Sequence, residues 1–175
     1  MVCADKDPVT AKESAELVRQ AGGEGFDIEC DVTDLEQVRN LADVSEDWFE
    51  KAASLVINNA GIGGGGSLFT NTREQWERTF NICWGGVYLG VRTFLPLLVK
   101  ADEAHIVNTS SVGSLKANPE LPSYGAMKRA VNSLTESAAV TYGPENIRVN
   151  AIAPGTTLTE MIREWESASP GVIDR

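Results

Sequence analysis

Alternation is the feature that most constrains this chain. Five short apolar runs of strand character, Val2–Ala4, Phe26–Cys30, Ser54–Ile57, Ala104–Asn108 and Arg148–Ile152, are separated by longer segments with apolar residues at helical spacing. The first helical segment follows Pro8, with Ala11, Ala15, Leu17, Val18 and Ala21, and Gly22-Gly23 stops it. Asp34 can cap the second, which carries Leu35, Val38, Leu41, Val44, Trp48 and Phe49. A long helix is expected from about Arg73 to Val99, another over Ser123–Tyr142, and a last one around Glu160–Glu166. Strands separated by helices are joined by crossovers, and crossovers make parallel sheets covered on both faces. The expectation is an α/β fold: one domain over residues 1–175, built on a doubly wound, Rossmann-like parallel sheet.

Composition agrees and excludes several functions. At 175 residues, 42% hydrophobic and 23% charged, the chain is ordinary globular material rather than a disordered or disulfide-scaffold sequence. A net charge of −10 repels polyphosphate backbones and anionic bilayers, so neither nucleic acid nor a membrane surface is expected as a partner. Cys3, Cys30 and Cys83 are odd in number with no CxxC spacing, and read as free thiols of a reducing compartment. His105 is the only histidine, which removes any multi-histidine metal site, and no metal is expected. No apolar stretch approaches the ~20 residues of a spanning helix, and residues 1–25 do not read as a signal peptide, so a cytoplasmic location is expected.

In doubly wound sheets ligands sit at the carboxyl ends of the strands. The residues there are Asp5, Asp31-Val32, Asn58-Asn59-Ala60-Gly61, Thr109-Ser110-Ser111 and Pro154-Gly155, each set polar or glycine-bearing. Tyr124 and Lys128 stand four apart on a predicted helix and share a face. A phenol is a poor base at neutral pH, and an ammonium one turn away favours phenolate. Alone, the pair reads more readily as a surface Tyr–Lys contact. It is accompanied by Ser111 at the end of the preceding strand, by Asn81 as a polar residue in the apolar middle of the long helix, and by Pro154-Gly155 with Thr159.

Taken in order and at their spacing, NNAG, Asn81, Ser111, the YxxxK of Tyr124 and Lys128, and PG with a following Thr resemble the short-chain dehydrogenase/reductase family from residue 1 to about residue 160. The resemblance implies an oxidoreductase that moves a hydride between NAD(H) and a secondary alcohol or ketone. In it Tyr124 would be the acid/base, and Lys128 would bind the nicotinamide ribose and lower the Tyr124 pKa, helped by the positive nicotinamide ring. Ser111 would hydrogen-bond the substrate oxygen, and Asn81 would hold a relay water beside Lys128. Asn58, Ala60 and Gly61 would support the strand end beside the cofactor, while Pro154, Gly155, Thr157 and Thr159 would contact the carboxamide. Asp31 and Val32 match the adenine contact. A carboxylate at Asp5 would accept from the adenosine ribose hydroxyls and repel a 2′-phosphate, favouring NAD over NADP, although Lys6 is adjacent and Asp5 also suits a simple Asp-Lys-Asp-Pro turn. A homo-oligomer, dimer or tetramer, is implied for the full-length form.

Two features depart from the pattern. Gly61-Ile62-Gly63-Gly64-Gly65-Gly66 fits GxGxxG literally, but the fingerprint needs an immediate helix, and here a polar loop follows, so it reads as a loop rather than a phosphate cradle. The family's first strand and TGxxxGxG turn, which would lie between the strands ending at Asp5 and Asn58 in the sheet, have no counterpart, and the chain is expected to be truncated at both ends. That leaves a second possibility, a non-catalytic SDR-like module for binding or interaction. Trp48, Trp76 and Trp84 read as packing residues, and Gly85-Gly86 as a site of close helix packing.

Overall fold

In the computed structural model, which describes residues 1–50, 52–159, 162–163 and 167, strands and helices alternate as the apolar pattern requires. The order is β1 (Val2–Asp5), α1 (Pro8–Gln20), β2 (Phe26–Glu29), α2 (Leu35–Phe49), β3 (Leu55–Asn58), α3 (Arg73–Phe80), α4 (Gly86–Leu98), β4 (Ala104–Thr109), α5 (Pro122–Tyr142) and β5 (Ile147–Ile152). The helix expected around Glu160–Glu166 lies outside the described residues except for Ile162 and Arg163.

Local chemistry sets the helix starts. Asp7 caps α1 through the Val9 N–H, with Pro8 at the first helical position, and Asp34 caps α2 through the N–H groups of Glu36 and Gln37. Thr72 and Gln75 form a reciprocal capping box on α3. The long helix expected from Arg73 forms as α3 and α4 joined by one π-helical turn, Asn81–Gly85, in which the Gly86 N–H reaches the Asn81 carbonyl. Along its outer side Trp76, Phe80, Trp84 and Tyr88 stack in a ladder at 5.8, 5.1 and 5.5 Å between rings. Trp76 remains largely exposed there rather than serving as core.

All strand pairs are parallel, but they form two sheets: β1 beside β2, and β3-β4-β5. The interruption falls between β1 and β3, where the resemblance placed the absent first strand. Helix α2 packs against α4 and carries Ala42 into the main core, which connects the two sheets. That core lies on one face of the larger sheet, where Val56, Ala104, Ile106, Ile147 and Val149 meet Val87, Val91, Phe94, Leu98 and Val131. Fully burying such a side chain contributes roughly 1.5–3 kcal/mol. The strands alternate in and out, so Leu55, Ile57 and Ile152 stand exposed on the opposite face. No helix among the described residues is long and apolar enough to cross a membrane.

Candidate active site

The carboxyl ends of β3, β4 and β5 and the start of α5 converge. On α5 the inward positions are Ser123, Met127, Lys128, Val131, Thr135 and Ala138, spaced as one face of a helix. Lys128 is therefore carried inside, and only 2% of it is exposed. Its Nζ donates to the Thr109 carbonyl at the end of β4, at 2.7 Å. Tyr124, one turn earlier, lies with its ring 5.6 Å from that Nζ.

A network of hydroxyls fixes the β4 exit. The Ser110 N–H donates to the Ile152 carbonyl at 2.7 Å, and the Val112 N–H to the Pro154 carbonyl at 3.0 Å, which ties the loop to the tail of β5. The Ser110 hydroxyl donates to the Lys128 carbonyl at 3.1 Å, and that of Ser114 to the Ser111 carbonyl at 2.7 Å. Ser111 Oγ accepts from the Gly113 N–H at 3.1 Å and faces the Tyr124 phenol. Beneath, Asn58 donates to Asn108 and Asn108 to Thr135, both at 2.9 Å, so a buried amide chain links β3, β4 and α5.

The glycine loop after β3 closes the other wall. A methyl group on Gly61 would sit 3.6 Å from Lys128 Nζ and 3.9 Å from Cys83 Sγ. One on Gly64 would press on Tyr124 Cβ at 3.1 Å and Ser123 Oγ at 3.2 Å. Glycine serves close approach at Gly64, whereas at Gly61 a methyl would make ordinary van der Waals contact. The loop ends in a turn at Ser67–Asn71, and its N-terminal segment is not the start of a helix, as the polar spacing indicated.

The site brings together Ser111, Tyr124, Lys128, Asn58 and Gly61. Asn81 opens the π turn. It is exposed, on the side of its turn away from the buried stripe Thr79, Cys83, Val87, Val91 and Phe94. Two residues along a helix is about 200° of rotation, so the residue that turns inward is Cys83. It is fully buried; its Sγ accepts from the Ile62 N–H at 3.5 Å, and its S–H donates to the Ile62 carbonyl at 3.3 Å. The apolar stripe, read strictly, would have selected Cys83 over Asn81.

The remaining expected positions lie on the rim. Asp5 is exposed, with Oδ1 accepting from the Asp7 N–H at 2.9 Å. Asp31 accepts from Lys6 Nζ at 2.6 Å and from Thr33 N–H and Oγ1 at 3.0 and 2.7 Å. Val32 packs on Gly86, where any side chain would meet it at 2.7 Å. That half of the glycine pair does permit close packing; Gly85 has no such neighbour. Ala60, Gly155, Thr157 and Thr159 are exposed and Pro154 half-buried.

Burial dominates the electrostatics of the pair. Burial pushes the Tyr124 phenol above its ordinary value, opposed by the Ser111 hydroxyl, and burial pushes the Lys128 ammonium below its own. What the arrangement offers is two hydroxyl donors, Tyr124 and Ser111, side by side, with a buried cation behind them.

Comparison with known proteins places this geometry. The family model described as enoyl-(acyl carrier protein) reductase matches residues 1–172. Glucose 1-dehydrogenase 2 of Bacillus subtilis is 32% identical over 156 residues, 88% of this chain and 60% of that protein. Cyclopentanol dehydrogenase of Comamonas sp. is 32% identical over 161 residues, 92% of this chain and 64% of the relative. Among solved structures, a short-chain dehydrogenase/reductase from Burkholderia phymatum in complex with NAD superposes with a TM-score of 0.83 at 34% identity, covering 88% of this chain and 56% of that one. The chain thus spans less than two thirds of the length of each of these relatives.

Proposed function

This chain belongs to the short-chain dehydrogenase/reductase family, and from that premise we propose that it carries the proton-transfer machinery of an NAD-dependent oxidoreductase that interconverts a secondary alcohol and a ketone. The observation that carries the reading is the convergence of Tyr124, Ser111 and Lys128 beside Gly61. NAD, when bound, supplies or accepts the hydride. The other step belongs to this chain: a proton must reach the ketone oxygen as it becomes an alkoxide. Tyr124 is the donor. Its raised pKa keeps the phenol protonated at neutral pH, the form an acid needs in the direction of reduction. Ser111 gives the same oxygen a second hydrogen bond as charge develops. Lys128 has three N–H donors and one is held by Thr109, which leaves the others for ribose hydroxyls.

The residues present suit the two ends of the cofactor. Asp5, Asp31 and Val32 would receive adenosine, Lys128 and Gly61 the nicotinamide ribose, and Pro154, Gly155, Thr157 and Thr159 the carboxamide, with Asn58 and Ala60 holding the strand end between. The substrate is a small-molecule alcohol or ketone, and the functional form a homo-oligomer.

The test is Tyr124→Phe in a chain extended upstream to the length of its relatives. Phe retains the ring and removes only the transferable proton, so kcat should fall by about 10²–10⁴ while cofactor affinity stays within a few-fold. Steady-state kinetics with a cofactor titration measures both. Retention of more than about a tenth of the unmodified kcat removes Tyr124 from the role.

A further inference from the structure

We propose that Cys83 is a positioning residue, whose thiol clamps both backbone groups of Ile62 and thereby fixes the glycine loop against Lys128 and Tyr124. Among the described residues, the two bonds to Cys83 are the only hydrogen bonds that Gly61–Gly66 make. On either side of Ile62, Gly61 lies against Lys128 Nζ and Gly64 against Tyr124 Cβ. The near end of the loop is thus anchored by one side chain, and that side chain adjoins the ammonium. The far end is tied separately, by the Ser67–Thr70 turn and by the Asn71 amide donating to Ser123 Oγ at 2.8 Å. The π turn supplies the reach, because its extra residue presents Cys83 to the loop while α4 continues in register against the sheet.

A thiol is a weak donor and a weak acceptor, and both bonds have the ordinary length of bonds to sulfur, so the clamp opens more readily than an amide would allow. An asparagine at this position carries an N–H donor and a carbonyl acceptor in a side chain of similar volume, and can engage the same two backbone groups at ordinary lengths. The clamp itself requires no cofactor; its consequence for proton transfer rests on the assignment of Tyr124 above, and the measurements below do not depend on turnover.

The test uses the 175-residue chain with Cys83→Ala and Cys83→Asn, followed by amide hydrogen exchange and by titration of ¹³Cζ-labelled tyrosine. Cys83→Ala should speed exchange in residues 61–66 by about tenfold, as loss of two weak hydrogen bonds would, and leave β4 and β5 unchanged. With water admitted, the Tyr124 resonance should titrate at lower pH. Cys83→Asn should restore both. Unchanged loop exchange in the alanine variant overturns the clamp. Faster exchange with an unmoved Tyr124 titration, or failure of asparagine to restore it, overturns the positioning role. The unmodified protein gives an independent check, should the alanine variant not fold. Cys83 is reachable only when its bonds to Ile62 open, so its alkylation by iodoacetamide, resolved from Cys3 and Cys30 by peptide mass, should be limited by the same opening as the Ile62 amide. Alkylation about tenfold faster than that opening rate would show the thiol to be unclamped and end the proposal.

Discussion

At Asp31 three donors converge on one carboxylate, and they outweigh the burial that would raise its pKa: Lys6 and the backbone and hydroxyl of Thr33 hold it down to about 2. The folded value lies below the ordinary 3.8, so this group's contribution to stability is complete above that pH and is lost as pH falls towards about 2. Lys6 is largely exposed, so solvent screens its share, and removing it costs only about 0.2–1 kcal/mol at neutral pH. Lys6→Met should raise the Asp31 carboxyl part of the way to 3.8, the Thr33 bonds holding the remainder. A ¹³C-detected titration of the carboxyl reads this, and an unmoved Asp31 would assign the whole effect to Thr33. The same ion pair engages the Lys6 charge at Asp31, which leaves Asp5 as the uncompensated charge at the end of β1. On the proposed function, an extended chain should therefore prefer NAD over NADP by at least about tenfold, or 1.4 kcal/mol, and Asp5→Ala should narrow the gap. Equal kcat/KM with the two cofactors would refute that assignment.

Between elements, the tightest approach on the buried side of the sheet is that of α4 to β3. Any side chain on Gly90 would collide with Asn58 Oδ1, while Asn58 Nδ2 is already committed to Asn108. An Ala at this position gains about 1 kcal/mol in helix propensity, yet it must push α4 off the strand or break the amide chain. Overpacking costs about 1–3 kcal/mol, and an orphaned buried amide a similar amount, so with the propensity gain set against either one Gly90→Ala should be net destabilising by up to about 2 kcal/mol. Urea unfolding measures it, and a raised midpoint would show that α4 is free to shift. What the sequence made legible follows the same division. Strands, helices, caps and the Tyr124–Lys128 face are periodic or local features, and they form where the pattern placed them. The inward place of Cys83 follows the stripe running through the long helix, and it went unread because a polar residue in an apolar segment drew attention to Asn81 instead. The burial of Tyr124 was not legible, because spacing reveals a neighbouring charge but not desolvation. Gly90 gave no warning at all, since what it must avoid is an amide from a strand 32 positions earlier.

At the scale of the molecule, the break between β1 and β3 decides what the 175-residue chain can bind alone. A dinucleotide needs its pyrophosphate received by free N–H groups, typically at a helix N-terminus that opens after a strand. Among the described residues, the helices that open within a few residues of a strand end are α1 and α2, and each start is already capped by a carboxylate, Asp7 and Asp34. Asp5 and Asp31 stand beside them. These N-termini have their amides satisfied and their positive ends neutralised, and so they present negative charge to an anionic ligand. The start of α3 is closed by its own capping box. The Gly61–Gly66 loop has the composition of a cradle, but Gly64 is packed close on Tyr124, Gly61 faces Lys128, and Ile62 is held by Cys83. A net charge of −10 adds long-range repulsion. Contacts at the adenosine and carboxamide ends alone would then have to hold a doubly charged ligand across an unsupported middle. Calorimetric titration of this chain with NADH should accordingly show a Kd no tighter than about 1 mM, or −4.1 kcal/mol. Micromolar binding would mean that the glycine loop leaves its clamp and takes the phosphates, and amide exchange at residues 61–66 would then slow on addition of NADH rather than stay as it is.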